Sequence, residues 1–411
     1  MQALLLGAGA SYDCGFPLVN ELTTILKSRI TSLLNKNNHN CNNPKIRKII
    51  TELFNTDMHY EAMIGYLEVL HNHEHNVDFR KELHSAIAFF IQALHYILLE
   101  NYQIRQTEYC LKILDAFRGI KHLMMSNQPL WIFSLNHDLV VEMLANLLDI
   151  ELKTGFFDAT PIVFNSYIET NNLLFENLTR VDINLNRFNF FSNNESGINL
   201  LKLHGALDIF AYGDELNYRK VKLEKNDPKS GTKLLKSIAE VNQQIVASDK
   251  INTLNESVFL DKQKQIQFSR HSLLSGAHKF SPNLSQIAPP EFLALFRLNI
   301  NYMNELICIG YSFGDNHINE ILKNWLSCNN HNLTIVDPHG KIPVFLTHLT
   351  PRITIVKKRA TEYFMELSMK HGDPTIYKIK PIIDIMNRAR DIAKDNFLQS
   401  LFSSVDPKTF E

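Results

Sequence analysis

The chain of 411 residues contains no C-x-x-C pair. Its five cysteines (Cys14, Cys41, Cys110, Cys308 and Cys328) are odd in number and widely spaced. That excludes a zinc ribbon and fits reduced thiols in a cytoplasm. Cys308 lies within an apolar run and reads as core. There is no excess of charge: 42 Lys and Arg face 43 Asp and Glu, for a formal net charge of −1. No global basic field draws the chain to nucleic acid or to an anionic membrane. No basic segment precedes the short apolar start at residues 1–6, and Gly7 ends it, so it reads as a buried strand rather than a signal peptide. The longest apolar stretch, around residues 87–99, is interrupted by Gln92 and His95 and is too short to span a bilayer. A soluble, cytoplasmic protein is expected.

Hydrophobic residues make up 45% of the chain and charged residues 21%, ordinary values for a globular protein with a good-sized core. The length suits one large domain with insertions, or two to three domains. There is no internal repeat. Apolar strands are expected at residues 3–6, 131–135, 200–203, 306–309, 333–336 and 352–356. Several of them run directly into Gly, Asn, His or Asp, and helical spacing follows. Continuous apolar strands joined by helices are the mark of a parallel sheet covered on both faces. The expected fold is therefore α/β, a Rossmann-like parallel sheet spanning residues 1–356. A helical insertion is placed at about 40–125, and a second insertion, hard to read, at about 151–300. Residues 357–411 are expected to be a helical C-terminal region serving assembly. The lysine-rich segment 220–236 reads as a solvated helix face, and residues 271–290 read as a loop.

On such sheets ligands bind at the carboxyl ends of the strands, so the residues there carry the functional reading. The first group is Gly7-Ala8-Gly9-Ala10-Ser11, where Gly7 and Gly9 let a backbone approach a pyrophosphate. No Lys or Arg occurs in residues 1–20, so this is not a Walker loop. Tyr12 stands where a dehydrogenase fingerprint needs its third glycine, and no acid ends a second strand near residue 35. A tight turn without ligand stays open as a reading of this loop alone. The second group is Asn136-His137-Asp138. Asn136 suits a ribose or an ordered water. Asp138 suits a ribose hydroxyl or a helix cap, and His137 reads as structural. The third is His204-Gly205, a histidine with the ordinary pKa of a general base. The fourth is Gly310-Tyr311-Ser312-Phe313-Gly314-Asp315, in which Ser312 could meet a phosphate and Asp315 caps the next helix. The fifth is Asp337, at a strand end where carboxylates hold adenosine ribose hydroxyls.

In this order the motifs resemble the SIR2 family of sirtuin-fold proteins. Gly7 to Ser11 with Gly15-Phe16-Pro17, Asn136-His137-Asp138, His204-Gly205 and Gly310-Tyr311-Ser312 all match its pattern. The run from Gly310 to Asn319 looks especially like the SIR2-like proteins of bacterial anti-phage defence. Two departures argue against protein deacylation. The four-cysteine zinc module of the deacylases is missing, and Leu18-Val19-Asn20 follows the proline where they carry Asp-Phe-Arg.

The resemblance implies NAD as substrate, no zinc, and hydrolysis of the nicotinamide–ribose bond to nicotinamide and ADP-ribose. Asn136 and His204 would be catalytic. Gly7, Ala8, Gly9, Ser11, Asp138, Gly310, Ser312 and Asp337 would bind NAD. It further implies NAD depletion in abortive infection, a homo-oligomer, and a separate HerA-type ATPase as partner. Two other classes stand beside it: a non-catalytic NAD or ADP-ribose sensor, and a nucleic-acid-acting subunit that would use the 220–236 lysines. A dehydrogenase lacks its acidic residue here.

Overall fold

A computed structural model describes residues 1–35, 43–165, 170–213, 217–249, 251, 253, 255–261, 263–273, 291–328 and 330–404. Cys41 and the 274–290 part of the expected loop lie outside the described residues. The strands are β1 (Gln2–Leu6), β2 (Leu130–Ser134), β3 (Leu152–Lys153), β4 (Phe157–Asn165), β5 (Thr170–Leu178), β6 (Ile198–Lys202), β7 (Gly205–Tyr212), β8 (Asn217–Val221), β9 (Glu256–Leu260), β10 (Ile266–Leu273), β11 (Glu305–Ile309), β12 (Asn332–Val336) and β13 (Ile353–Val356). The helices are α1 (Ala8–Tyr12), α2 (Val19–Asn35), α3 (Pro44–Phe54), α4 (Tyr60–His73), α5 (Val77–Tyr96), α6 (Thr107–Leu114), α7 (Ile120–Ser126), α8 (Val140–Leu147), α9 (Arg180–Asn184), α10 (Ser230–Asp249), α11 (Glu291–Ile300), α12 (Asn316–Ser327), α13 (Ala360–Lys370) and α14 (Pro374–Ser404).

Seven strands form one sheet in the order β13-β12-β11-β1-β2-β6-β3, and every pairing in it is parallel. Without the short edge strand β3, this is the doubly wound order in which the chain leaves β1 to one side and returns to its other side. The switch point falls between β1 and β11. Both faces are covered. Leu4, Leu6, Ile132, Leu200 and Ile307 pack on the side of the helical insertion. Ala3, Leu5, Phe133, Leu201 and Cys308 pack on the other side with α11 and α12. Two-sided burial is why these strands read as unbroken apolar runs.

The α3–α7 stretch is the helical insertion. Its longest helix, α5, continues without a break into a π-helical segment, Ile97–Ile104. The apolar stretch expected to be too short for a bilayer thus belongs to a helix of 28 residues, long and apolar enough by those measures alone to cross one. In the fold 67% of its apolar window is buried, with Leu94 and Ile97 in the core.

Residues 151–300 differ from the single insertion expected. They contain two strands of the parallel sheet, β3 and β6, together with a closed barrel of strands β10-β7-β8-β5-β4-β9. The chain enters the barrel as β4 and β5, returns to the sheet as β6, and re-enters the barrel across two residues, Leu203 and His204, which separate β6 from β7. The 220–236 segment is likewise not one solvated helix face. Lys220 is buried in β8, and α10 begins only at Ser230. Four other lysines of the segment are matched by acids: Lys225 with Glu151, Lys229 with Glu108, Lys233 with Asp227 and Lys236 with Glu240. After β13 the described residues are mainly helical, as the α13–α14 pair.

Candidate functional site

Gly7 ends β1 in an extended conformation and caps α1, which starts at Ala8. The expected loop of residues 7–11 is therefore one residue of loop followed by a short helix. The glycines answer to a neighbour in the fold. A Cβ on Gly7 would sit 2.6 Å from the Gly310 carbonyl oxygen, and one on Gly9 would sit 2.7 Å from the Gly310 Cα. Gly310 itself has φ +61, and its Cβ would lie 2.3 Å from the Ala10 nitrogen. The turns after β1 and β11 pack backbone to backbone at the switch point, and the Gly9 N–H donates to the Gly310 carbonyl at 2.9 Å. Only glycine permits both the spacing and the left-handed turn.

The Asn136-His137-Asp138 turn after β2 is tied to this junction. The Asn136 amide Nδ2 donates to the Gly7 carbonyl (2.9 Å) and to Ser11 Oγ (3.0 Å). Ser11 in turn hydrogen-bonds the Asp138 carboxylate. Asp138 Oδ1 also accepts from the Val140 N–H, the first of α8, at 3.0 Å. Burial raises the pKa of Asp138 above the usual carboxylate range, and Lys202 and Ser11 oppose the rise. All of these side chains are buried. The groups expected to face a ribose therefore form, in this structure, a closed hydrogen-bonded chain Gly7–Asn136–Ser11–Asp138.

Beneath the turn lies a feature that the sequence reading did not single out. Lys202, at the end of β6, is 2% exposed. Its Nζ donates to the main-chain carbonyls of Asp138 and Asn136, the latter at 3.4 Å. It also pairs with Glu142 of α8 at 3.4 Å. Glu142 meets Lys220 of the barrel at 3.2 Å, and Lys220 pairs with Asp208 of β7. Burial would raise the pKa of Glu142, but Lys202 and Lys220 outweigh it and hold the carboxyl below its ordinary value. A buried charge without partners is costly, so this alternating run of charges fixes sheet, α8 and barrel in one arrangement. Its one sequence signal was Lys202 interrupting an otherwise apolar strand.

His204 is 5% exposed, and its Nε2 lies 3.1 Å from Asp315 Oδ2. Asp315 caps α12 as expected, Oδ1 accepting from the His317 N–H at 3.0 Å, while its other oxygen faces the imidazole. The His137 and His204 rings are 6.4 Å apart. Gly205 holds φ +76, with Ser272 O 2.0 Å from where a Cβ would be. This fixes the exit of the chain from His204 into the barrel. Asp315 as orienting carboxylate was hidden in the sequence, because its capping role accounted for it fully.

Gly7, Ala8, Gly9, Ser11, Asn136, Asp138 and Gly310 thus meet in one cluster, and His204 joins Asp315 at the end of the turn that carries Ser312. Ser312 is exposed. Asp337 stands apart at the end of β12, where its Oδ1 accepts from the His339 N–H of its own turn at 2.8 Å. Among the described residues no group of His, Cys, Asp and Glu could hold a metal ion. What the cluster offers is an imidazole–carboxylate pair, a neighbouring amide and a junction of main-chain groups, without a nucleophilic thiol.

No protein-family model and no curated protein matches the chain. Among solved structures, it is similar to a Sir2 homologue mutant bound to ADP-ribose (13% identity, TM-score 0.37, covering 93% of this chain and 93% of that one). It is also similar to a Sir2 homologue in complex with NAD (12%, 0.37, 93% and 90%). A third likeness is to a Sir2 mutant with NAD and a p53 peptide (10%, 0.40, 90% and 93%). The fold assignment rests on the strand order itself, an α/β Rossmann-like sheet with helical insertions.

Proposed function

We propose that this chain binds NAD across the ends of β1, β2, β6 and β11 and hydrolyses its nicotinamide–ribose bond. The observation that carries the proposal is the His204–Asp315 pair beside the Asn136 cluster, at the switch point of a doubly wound sheet. This is where such sheets bind dinucleotides. The family resemblance of the motifs supports the choice of NAD. In this scheme the Asp315 carboxylate, 3.1 Å from Nε2, favours the tautomer with the proton on Nε2, and Nδ1 serves as the basic nitrogen of His204. In the reaction the C1′–N bond breaks and nicotinamide leaves as a neutral base, taking the bonding electrons. Water adds to C1′, and its proton passes to His204. The products are ADP-ribose, nicotinamide and a proton. In this scheme Gly7, Gly9, Ser11 and Gly310 lie toward the pyrophosphate, and Ser312 and Asp337 toward the adenosine side. The biological setting is proposed as cytoplasmic anti-phage defence by NAD depletion, as a homo-oligomer acting with a HerA-type ATPase.

Nicotinamide release from NAD, measured for the wild type, Asn136→Ala and His204→Ala with the ATPase present and absent, tests the reading. Loss in both variants is expected. Undiminished release by both sinks the assignment. One observation favours a second reading: the Asn136 amide is already engaged within the protein, as a binding-only sensor would allow. NAD that binds and is recovered intact from the activated complex decides for that sensor.

A further inference from the structure

Away from the strand ends, a cavity of about 610 Å³ opens between the β13–α13 turn and α14. That volume is in the range of small-molecule sites. Three cations in its lining, Lys357, Lys380 and Arg388, are exposed and have no ion-pair partner among the described residues. The acids of the lining are largely engaged elsewhere. Glu366 pairs with Lys358 and Lys370, Asp391 with Arg359, and Glu362 accepts from the Arg359 main-chain N–H. Asp384 has no ion-pair partner among the described residues and can offset the three cations. Met365 and Met369 add apolar wall.

Asn387 also lines the cavity and is 6% exposed. The Thr361 hydroxyl donates to Asp13 at 2.7 Å, so its oxygen is left to accept from Asn387 Nδ2 at 3.2 Å. That fixes the orientation of the amide. Its Oδ1 is buried with no hydrogen-bond partner. An unsatisfied buried acceptor is unfavourable and calls for an N–H or O–H donor.

We propose that this cavity is a second binding site, for a nucleotide-sized phosphate ester. The phosphates would meet Lys357, Lys380 and Arg388. The flat apolar part would lie on Met369, and an amine or hydroxyl would donate to Asn387. The site reaches the switch point through shared residues. Arg359 in its wall donates to Asp13 (3.3 Å) and Asp391 (2.6 Å), and Asp391 accepts from the Tyr12 hydroxyl (3.0 Å). Tyr12 ends α1, and Asp13 follows it directly. A polyanion that competes for Arg359 therefore acts on the helix that carries Ser11.

Isothermal titration of the full chain with ADP, pyrophosphate and adenosine tests this. It compares the wild type with a Lys357→Ala/Lys380→Ala/Arg388→Ala variant, whose three sites are exposed. ADP and pyrophosphate are expected to bind the wild type, and adenosine not. The variant is expected to lose one ADP site, or to bind there about tenfold more weakly. The strand-end site would add a second ADP site that the variant keeps, so failure of the NAD reading changes the total and not the difference. Equal ADP stoichiometry and affinity in wild type and variant overturns the proposal, as does adenosine binding as tightly as ADP.

Discussion

His204, on the short link between β6 and β7, presents Nε2 to the carboxylate of Asp315 at 3.1 Å, and Asp315 simultaneously caps α12. The two roles can be separated by substitution. Asparagine caps helices as well as aspartate does but carries no charge to stabilise an imidazolium. Asp315→Asn should therefore leave the melting temperature near that of the wild type while lowering NAD cleavage about a hundredfold. Asp315→Ala should lower both. Equal activity in Asp315→Asn and the wild type, in a nicotinamide-release assay, removes Asp315 from the site.

The contact of the two glycine turns predicts a stability effect without any ligand. Gly310→Ala forces a Cβ to within 2.3 Å of the Ala10 nitrogen in a left-handed conformation. A loss of roughly 2 kcal/mol or more is expected in urea unfolding. Gly314→Ala, whose Cβ would have only Ser312 Oγ at 3.6 Å near it, is the control and should change little. Indistinguishable midpoints for the two variants would show that the turns do not touch as described.

The buried charges predict a non-additive pair. Lys202→Met leaves Glu142 with one cation fewer and removes the donor to the Asn136 and Asp138 carbonyls. A cost of roughly 3–5 kcal/mol is expected. Adding Glu142→Gln should recover part of it, because the stranded charge goes. Chemical denaturation of the two singles and the double measures this directly, and strictly additive costs count against a coupled network.

The His95 and His271 rings stack 3.7 Å apart, nearly parallel, in the interior. Burial lowers His95 to about 4. Burial, and then the neighbouring His95, holds His271 well below the ordinary value. Both are neutral in the folded chain, whereas the unfolded chain takes up protons near pH 6.5. Stability from this pair is present above pH 6.5 and is lost as the pH falls from there toward 4. The loss is of the order of 2 kcal/mol by pH 5 for His95 alone. Unfolding free energies at pH 7 and pH 5 should differ by less in His95→Leu than in the wild type. An identical pH slope in the two would place the histidines outside this role.

The parallel sheet was legible because two-sided burial writes continuous apolar runs, as in Ala3-Leu4-Leu5-Leu6 and Leu306-Ile307-Cys308-Ile309. The barrel was not, because its strands bury polar groups that only partners across the barrel make tolerable. In β8, Asn217-Tyr218-Arg219-Lys220-Val221 reads as exposed. Yet Arg219 lies over the rings of Tyr212 (4.4 Å) and Phe259 (5.1 Å), and Lys220 meets Asp208 and Glu142. Each strand-end motif could be found singly, since each follows its own strand. How they pair could not: the facing of His204 and Asp315, and the seating of Gly7 and Gly9 on Gly310, depend on which strands are neighbours. Periodicity along one chain carries no record of that.

The two-residue link between β6 and β7 makes the barrel inseparable from the chemistry proposed beside it. A shortened chain that splices Leu203 directly to α11 would remove His204 itself, the Gly205 turn that aims it, and Lys220, the barrel partner of Glu142. Related chains that lack the barrel should therefore differ at the positions of Lys202, His204 and Glu142 together, as one exchanged unit.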